Sequence, residues 1–332
     1  MTDTPRPAAL DLSEADELLH ALPAGAGPSF RESYYFGFYD PVADIGGFES
    51  FGYRTLKEHS GSMVTLWRPG DVSAALDLGG ALTEPGRYRV GDFEAVCREP
   101  FHRWDLSHRG VLCRVRNAGM RQPVENMRDL PSAEDVDVVL DAQFESDLPI
   151  APYERRQSYE HIFSECYEQI GRIRGTLVLG DEKLELDCPA VRHHAWGTRD
   201  WFSDDEWNWC TAVFSEKDAT GFWYRRRGAD EEVNGWLLLD GEIAPIAHLE
   251  RSIAHDVDES KPLPRSARYV VVDRARRSLE LLGNVKQITP AFFRPPDKRP
   301  LLHWNDRSLV RFASSRGEGW GEVEFISTLP AP

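Results

Sequence analysis

The chain has 332 residues, of which 41% are hydrophobic, 11% aromatic and 28% charged. Those proportions exclude a disordered or fibrous chain, and the length allows two domains or one large β domain. A formal charge of −16, from 55 acidic against 39 basic residues, repels phosphate backbones and anionic membranes, so no nucleic-acid partner is expected.

Residues 1–27 read as an N-terminal leader rich in Ala, Pro and Gly. It shows neither a basic n-region nor an apolar h-region, so no signal peptide is expected. No run approaches the roughly 20 apolar residues that span a bilayer. Five scattered cysteines (Cys97, Cys113, Cys166, Cys188 and Cys210) form no CxxC, so the reading is a cytoplasmic protein with reduced, buried thiols. Within the leader, Ser13 is placed to cap a short helix over 14–22, with Leu18, Leu19 and Leu22 as a narrow apolar stripe.

From residue 28 the dominant period is two. Glu32–Asp40, Glu49–Thr55, Met63–Arg68, Phe93–Arg98, Gly110–Val115 and Val136–Phe144 are short β-branched or aromatic runs separated by turn residues. Ile173–Leu179 and Leu184–Asp187 alternate about Gly180-Asp181, which predicts a hairpin with one face buried. Asp240-Gly241 marks another hairpin inside Trp236–Ile246. Tyr269–Val272, Ser278–Leu282, Leu309–Ala313 and Glu322–Ile326 complete the set. Tyr159–Ile173 suits two helical turns or a strand equally. The Pro-bearing Asp147–Pro152 suggests a crossover, so the domains are placed at 28–150 and 151–332. The fold expected is all-β: two tandem antiparallel β-barrels or sandwiches behind a short helical leader.

No GxGxxG, GxxxxGK[ST], HExxH or GxSxG is present, so the common cofactor, phosphate, zincin and serine-hydrolase sites lack support. His102, His108, His193, His194, His248, His255 and His303 could supply ligands, since barrels gather distant histidines, but none of their spacings is diagnostic. Neither metal nor cofactor is expected, and a metalloenzyme using them is the third reading after the two given below. The densest unusual segment is Arg192-His-His-Ala-Trp-Gly-Thr-Arg-Asp-Trp201, continuing to Trp207 and Trp209. Aromatic faces interleaved with a few polar tips suit the wall of a small-molecule pocket. The other reading makes Trp196 and Trp201 core anchors and Arg199–Asp200 an ion pair at a barrel corner.

Glu168-Gln-Ile-Gly-Arg-Ile-Arg-Gly175 followed by Arg192–Trp201 resembles the second-domain signature of the lipocalin-like superfamily. That group includes carotenoid 1,2-hydratase, AttH-like proteins, kievitone hydratase and lipocalin-type cyclases and Diels–Alderases. Glu32–Asp40 and Gly319-Trp-Gly-Glu-Val-Glu324 resemble its first and last strands. The resemblance implies two lipocalin-like β units, and it carries the hydratase branch's His-x-Trp pair onto His194 and Trp196. Ala195 stands where Ser is frequent. Tyr224 falls near that branch's downstream Tyr, but Arg225, Arg226 and Arg227 follow it.

Adding water across an alkene needs a carboxylic acid kept neutral in a dry pocket, beside aromatic faces that stabilise the cation. The candidates for catalysis are His194, Asp200 and Asp40. Trp196, Trp201, Arg199, Tyr39, Trp104 and Tyr224 are the candidates for binding substrate. Asp105 is a further possible acid, while Glu168 reads as an ion-pair partner. The function expected is a cofactor-independent hydratase, isomerase or cyclase acting on an isoprenoid-like or other hydrophobic small molecule. The alternative is a lipid- or pigment-binding protein without chemistry.

Overall fold

The computed structural model describes residues 12–21, 30–54, 59–80, 82, 84–116, 127–154, 165–199, 206–256, 263–293 and 301–330. Strands dominate, as the period of two requires. The first group is β1 (Phe30–Asp40), β2 (Ile45–Arg54), β3 (His59–Arg68), β4 (Asp71–Gly79), β5 (Arg87–Val90), β6 (Phe93–Glu99), β7 (Arg103–Arg116), β8 (Glu134–Glu145), β9 (Ala151–Pro152), β10 (Glu165–Leu179) and β11 (Glu182–Thr198). The second is β12 (Glu206–Ser215), β13 (Asp218–Arg227), β14 (Asp230–Leu239), β15 (Glu242–His255), β16 (Pro264–Asp273), β17 (Ser278–Phe293), β18 (Leu301–Ser314) and β19 (Gly317–Pro330).

The first sheet runs β4-β3-β2-β1-β11-β10-β8-β7-β6-β5, and pairing of β4 with β7 from Asp71↔Arg116 to Ala74↔Cys113 closes it on itself. β12 to β19 pair in sequence and close through β12–β19 into a second barrel. Both expected hairpins form, with Leu179↔Glu182 and Leu239↔Glu242 flanking their turns. The division expected near residue 150 does not coincide with a change of sheet. β10 and β11 complete the first ring because β11 fills the edge of β1 that β2 leaves open. The chain passes to the second barrel only between Thr198 and Glu206.

The helix expected over 14–22 is a single 3-10 turn, Glu14–Glu17. Asp16 accepts hydrogen bonds from both the backbone N–H and the hydroxyl of Ser13. The next amides leave the helical path because they have other acceptors: Leu19 donates to the Tyr88 hydroxyl and His20 to the Glu32 carboxylate. Glu17 is fully buried, its carboxylate held by Arg192 at 2.6 and 2.9 Å and by the Trp104 indole N–H at 2.5 Å. The turn thus plugs the first sheet through an ion pair, with Leu19 packed against the inner apolar cluster; Leu22 lies outside the described residues.

β1 is buried on nearly every residue, and β11 continuously from Ala190 to Gly197. One face, with Tyr34, Phe36 and Phe38, packs inside the first sheet. The other, with Tyr35, Tyr39 and Val191, packs against Trp207, Trp209, Trp223 and Leu309 of the second barrel. The cysteines are free, and all but Cys97 are buried. No helix among the described residues is long and apolar enough to cross a membrane.

Candidate functional site

The β1–β11 ladder sets Tyr34 opposite His194, Tyr35 opposite His193 and Glu32 opposite Trp196. Side chains alternate across a strand, so neighbouring residues of the motif serve opposite faces. Glu32, Tyr34, His194 and Trp196 share the inner face. Tyr35 and His193 turn to the second barrel.

On that outer face a cavity of about 230 Å³ lies between β1 and β11 on one side and β12, β18 and β19 on the other. Tyr35, Tyr39, Trp67, Trp320 and Glu322 are among the residues that line it. Tyr39 stacks on Trp320 with ring centroids 3.6 Å apart, and its hydroxyl donates to Asp44 at 2.6 Å. The Tyr35 hydroxyl donates to Glu322. Gly37 makes room for this geometry, since a Cβ there would collide with the Tyr35 ring.

Arg307 reaches both Glu322, at 2.9 Å, and Glu324. One guanidinium between two buried carboxyls leaves one negative charge in excess. Burial lifts the Glu322 carboxyl above the ordinary range, against the opposing pull of Arg307 and of the Tyr35 hydrogen bond. Glu322 is therefore the member of this group suited to keep a proton.

Beside the cavity, Glu168 accepts the indole N–H of Trp209 at 2.7 Å and of Trp236 at 2.8 Å, and lies 3.2 Å from His193 Nδ1. Gly221 permits the close approach, since a Cβ there would strike the Glu168 carboxylate. This carboxylate joins the first sheet to the second barrel. Burial holds His193 below the ordinary imidazole range, although Glu168 pulls the other way.

On the inner face, His194 is fully buried and stacks on Tyr34 at 4.0 Å. Its Nε2 lies 2.8 Å from Glu32 Oε1, and its Nδ1 lies 3.2 Å from the Tyr167 hydroxyl. Burial lowers its pKa as well, outweighing Glu32. Trp196 stacks on His20 at 4.3 Å.

The residues singled out in the sequence therefore disperse. His194 and Trp196 meet on the inner face, and Trp104 reaches Glu17 in the same interior. Arg199 donates to Ser33 Oγ at 2.8 Å and to the Ala195 carbonyl at 3.2 Å. Among the described residues of the set, Tyr39 alone lines the cavity. Tyr224 lies in the second barrel with Arg251 stacked 3.8 Å above its ring. Asp40 accepts the amides of Val42 and Ala43 and, through its other oxygen, that of Asp187, which is the work of a turn residue. Asp105 takes Arg98 and Gln143. Asp200 and Trp201 lie outside the described residues.

Glu322, Tyr35 and Trp320 were not singled out, although Tyr35 belongs to the first-strand motif and Trp320 and Glu322 to the last. Those motifs were read for fold alone. Only the meeting of the two sheets turns them toward one space.

Solved structures share this architecture at low sequence identity. An AttH-like protein from Nitrosomonas europaea is 12% identical with a TM-score of 0.62, over 97% of this chain and 99% of that one. CghA, solved with Sch210972, is 11% identical with a TM-score of 0.55, over 90% of this chain and 89% of its own. Kievitone hydratase from Nectria haematococca is 9% identical with a TM-score of 0.56, over 95% of this chain and 94% of that one. These likenesses establish the lipocalin-like fold. No curated protein matches the chain in sequence. The model of one family, described as a domain of unknown function (DUF7064), spans residues 13–327, nearly everything from the N-terminal turn to the last strand, and the chain belongs to that family.

Proposed function

We propose that the chain is a cofactor-independent hydratase, isomerase or cyclase for a hydrophobic small molecule, working in the cavity between the two sheets with Glu322 as proton donor. The observation that carries this reading is a buried carboxyl, lifted above its ordinary range, facing a space walled by Tyr35, Tyr39, Trp67 and Trp320. An engineered apolar cavity of about 150 Å³ takes up benzene, so about 230 Å³ suits an isoprenoid terminus or a one- or two-ring group. Fold similarity to an enzyme named a hydratase supports the reaction class.

The chemistry follows from the residues. Glu322 transfers its proton to one alkene carbon, and the positive charge forms on the other. Indole and phenol faces stabilise that cation by about 0.5–2 kcal/mol each. Entry of water gives the alcohol, with the excess proton returned to the carboxylate. In a dry cavity a second double bond of the substrate instead attacks the cation to close a ring and the new cation returns a proton to Glu322, or the first cation loses a neighbouring proton to Glu322 and the double bond moves. Tyr35 fixes the carboxyl by hydrogen bonding to it.

The test is incubation of the purified chain with a panel of prenylated and isoprenoid alkenes in heavy-oxygen water and in deuterium oxide. Product carrying heavy oxygen or deuterium, lost in Glu322→Gln, is the expected result. Turnover unchanged in Glu322→Gln refutes the assignment. Stoichiometric uptake without product favours the carrier reading.

A further inference from the structure

We propose that His20, Glu32 and His194 form a binding site for one divalent first-row transition ion of zinc's class, where the N-terminal turn meets β1 and β11. The site is independent of the cavity, since Glu32 and His194 project from the opposite face of their strands.

Three potential ligand atoms, one from each residue, lie within 4.8 Å of one another. His20 Nδ1 and His194 Nε2 each stand 2.8 Å from the same oxygen, Glu32 Oε1. Two imidazoles and one carboxylate match the three-protein-ligand sets that hold zinc with a fourth position left for water. Side-chain exposure is 0% for His194, 2% for Glu32 and 23% for His20, so solvent reaches that fourth position from the His20 side.

The outer nitrogens decide where the imidazole protons sit. Tyr167 gives its only hydroxyl proton to Glu17, a carboxylate already paired with Arg192. The phenol oxygen can then only accept from His194, which places a proton on Nδ1. His20 Nε2 lies 3.1 Å from Asp16 Oδ1, and a carboxylate there likewise draws the proton outward. In neutral imidazoles this leaves the lone pairs of His20 Nδ1 and His194 Nε2 facing a carboxylate oxygen. A cation satisfies all three together. Such outer-shell carboxylate and hydroxyl partners are also the usual means of orienting a ligating histidine.

The rings are held before any ion arrives. His194 lies against Tyr34, and His20 against Trp196. Glu32 Oε2 accepts the His20 amide at 3.0 Å, fixing the carboxylate. Bound metal would thereby fasten the N-terminal segment to the first sheet. The competing arrangement is two imidazolium rings, 5.9 Å apart, each donating to Glu32 with no ion.

The full chain without a histidine tag, stripped with chelator, is titrated with zinc against a chromophoric chelator and then with cobalt(II). One equivalent is expected, with a rise in Tm and the visible absorption of low-coordinate cobalt. His20→Ala, at the exposed edge, should weaken zinc binding by more than about 100-fold. Asp16→Asn, which keeps every ligand, should weaken it by about 10–100-fold. Folded wild-type chain that binds neither ion stoichiometrically overturns the proposal in favour of the paired imidazoliums. So does one equivalent held equally well by wild type, His20→Ala and Glu32→Gln.

Discussion

Replacing Glu49 by Gln removes a pH dependence of stability that the wild-type chain carries. Glu49 sits on β2 between Phe36 of β1 and Val64 of β3, both members of the inner apolar cluster. It is 2% exposed, and neither carboxyl oxygen has a hydrogen-bond partner. With nothing opposing it, burial pushes this carboxyl from the ordinary 4.5 up to about 8. The unfolded chain releases the proton near the ordinary value, whereas the folded chain keeps it until about 8. Between those limits the folded state binds more protons, so stability falls as pH rises, by about 1.4 kcal/mol per pH unit. Across the window that loss is about 5 kcal/mol, and above it the contribution is constant.

Glutamine has the same shape and cannot ionise. Its amide is as unpartnered as the neutral carboxyl, so near pH 5 the two proteins should agree to within about 1 kcal/mol. Above pH 8 the variant should be more stable by about 5 kcal/mol. Urea unfolding of both proteins from pH 5 to 9 measures this. The difference between them is the readout, because the net charge of −16 imposes a pH dependence common to both. Parallel curves over that range would refute the argument that Glu49 is uncompensated.

Glu17→Ala leaves Arg192 charged and buried, which should cost about 3–5 kcal/mol and expose the N-terminal turn to protease; urea unfolding and limited proteolysis read the two effects. Trp236→Phe deletes one indole N–H from Glu168 while keeping the aromatic packing, so a loss of about 1–3 kcal/mol is expected in the same unfolding assay. Glu322→Gln should lower kcat by about 10²–10⁴-fold, the usual worth of a positioned general acid, with little change in far-ultraviolet circular dichroism. Gly37→Ala should displace the Tyr35 ring from Glu322 and lower turnover while the chain still folds, read by steady-state kinetics beside the same circular dichroism.

The strands were legible because the period of two is a local property. Gly180-Asp181 and Asp240-Gly241 sit at the hairpin turns found. Which strands share a sheet was not legible, since β10–β11 reads as a self-contained hairpin until β1 offers it an edge. The leader failed as a helix for a long-range reason: the partners of Leu19, His20 and Glu17 are Tyr88, Glu32 and Arg192. The two histidines of the Arg192–Trp209 segment point opposite ways, His194 to Glu32 and His193 to Glu168. Composition alone carries no information on which face each takes.

The same alternation explains why two separate chemistries fit on one ladder. A strand buried on one face only spends half its residues on solvent. β1 and the Ala190–Gly197 stretch of β11 are covered on both, so consecutive residues such as Tyr34 and Tyr35, or His194 and His193, enter different interiors from a shared backbone. The inner face gathers Glu32, His194 and the plugging turn, a polar set whose hydrogen bonds run from Asp16 to Glu17. The outer face offers an aromatic space with one protonatable carboxyl. A substitution at Glu32 or Tyr34 should therefore affect metal binding and leader attachment, while one at Tyr35 or Gly37 affects turnover. Glu32→Gln that abolished turnover while leaving zinc binding intact would break that separation, and with it the assignment of the two faces.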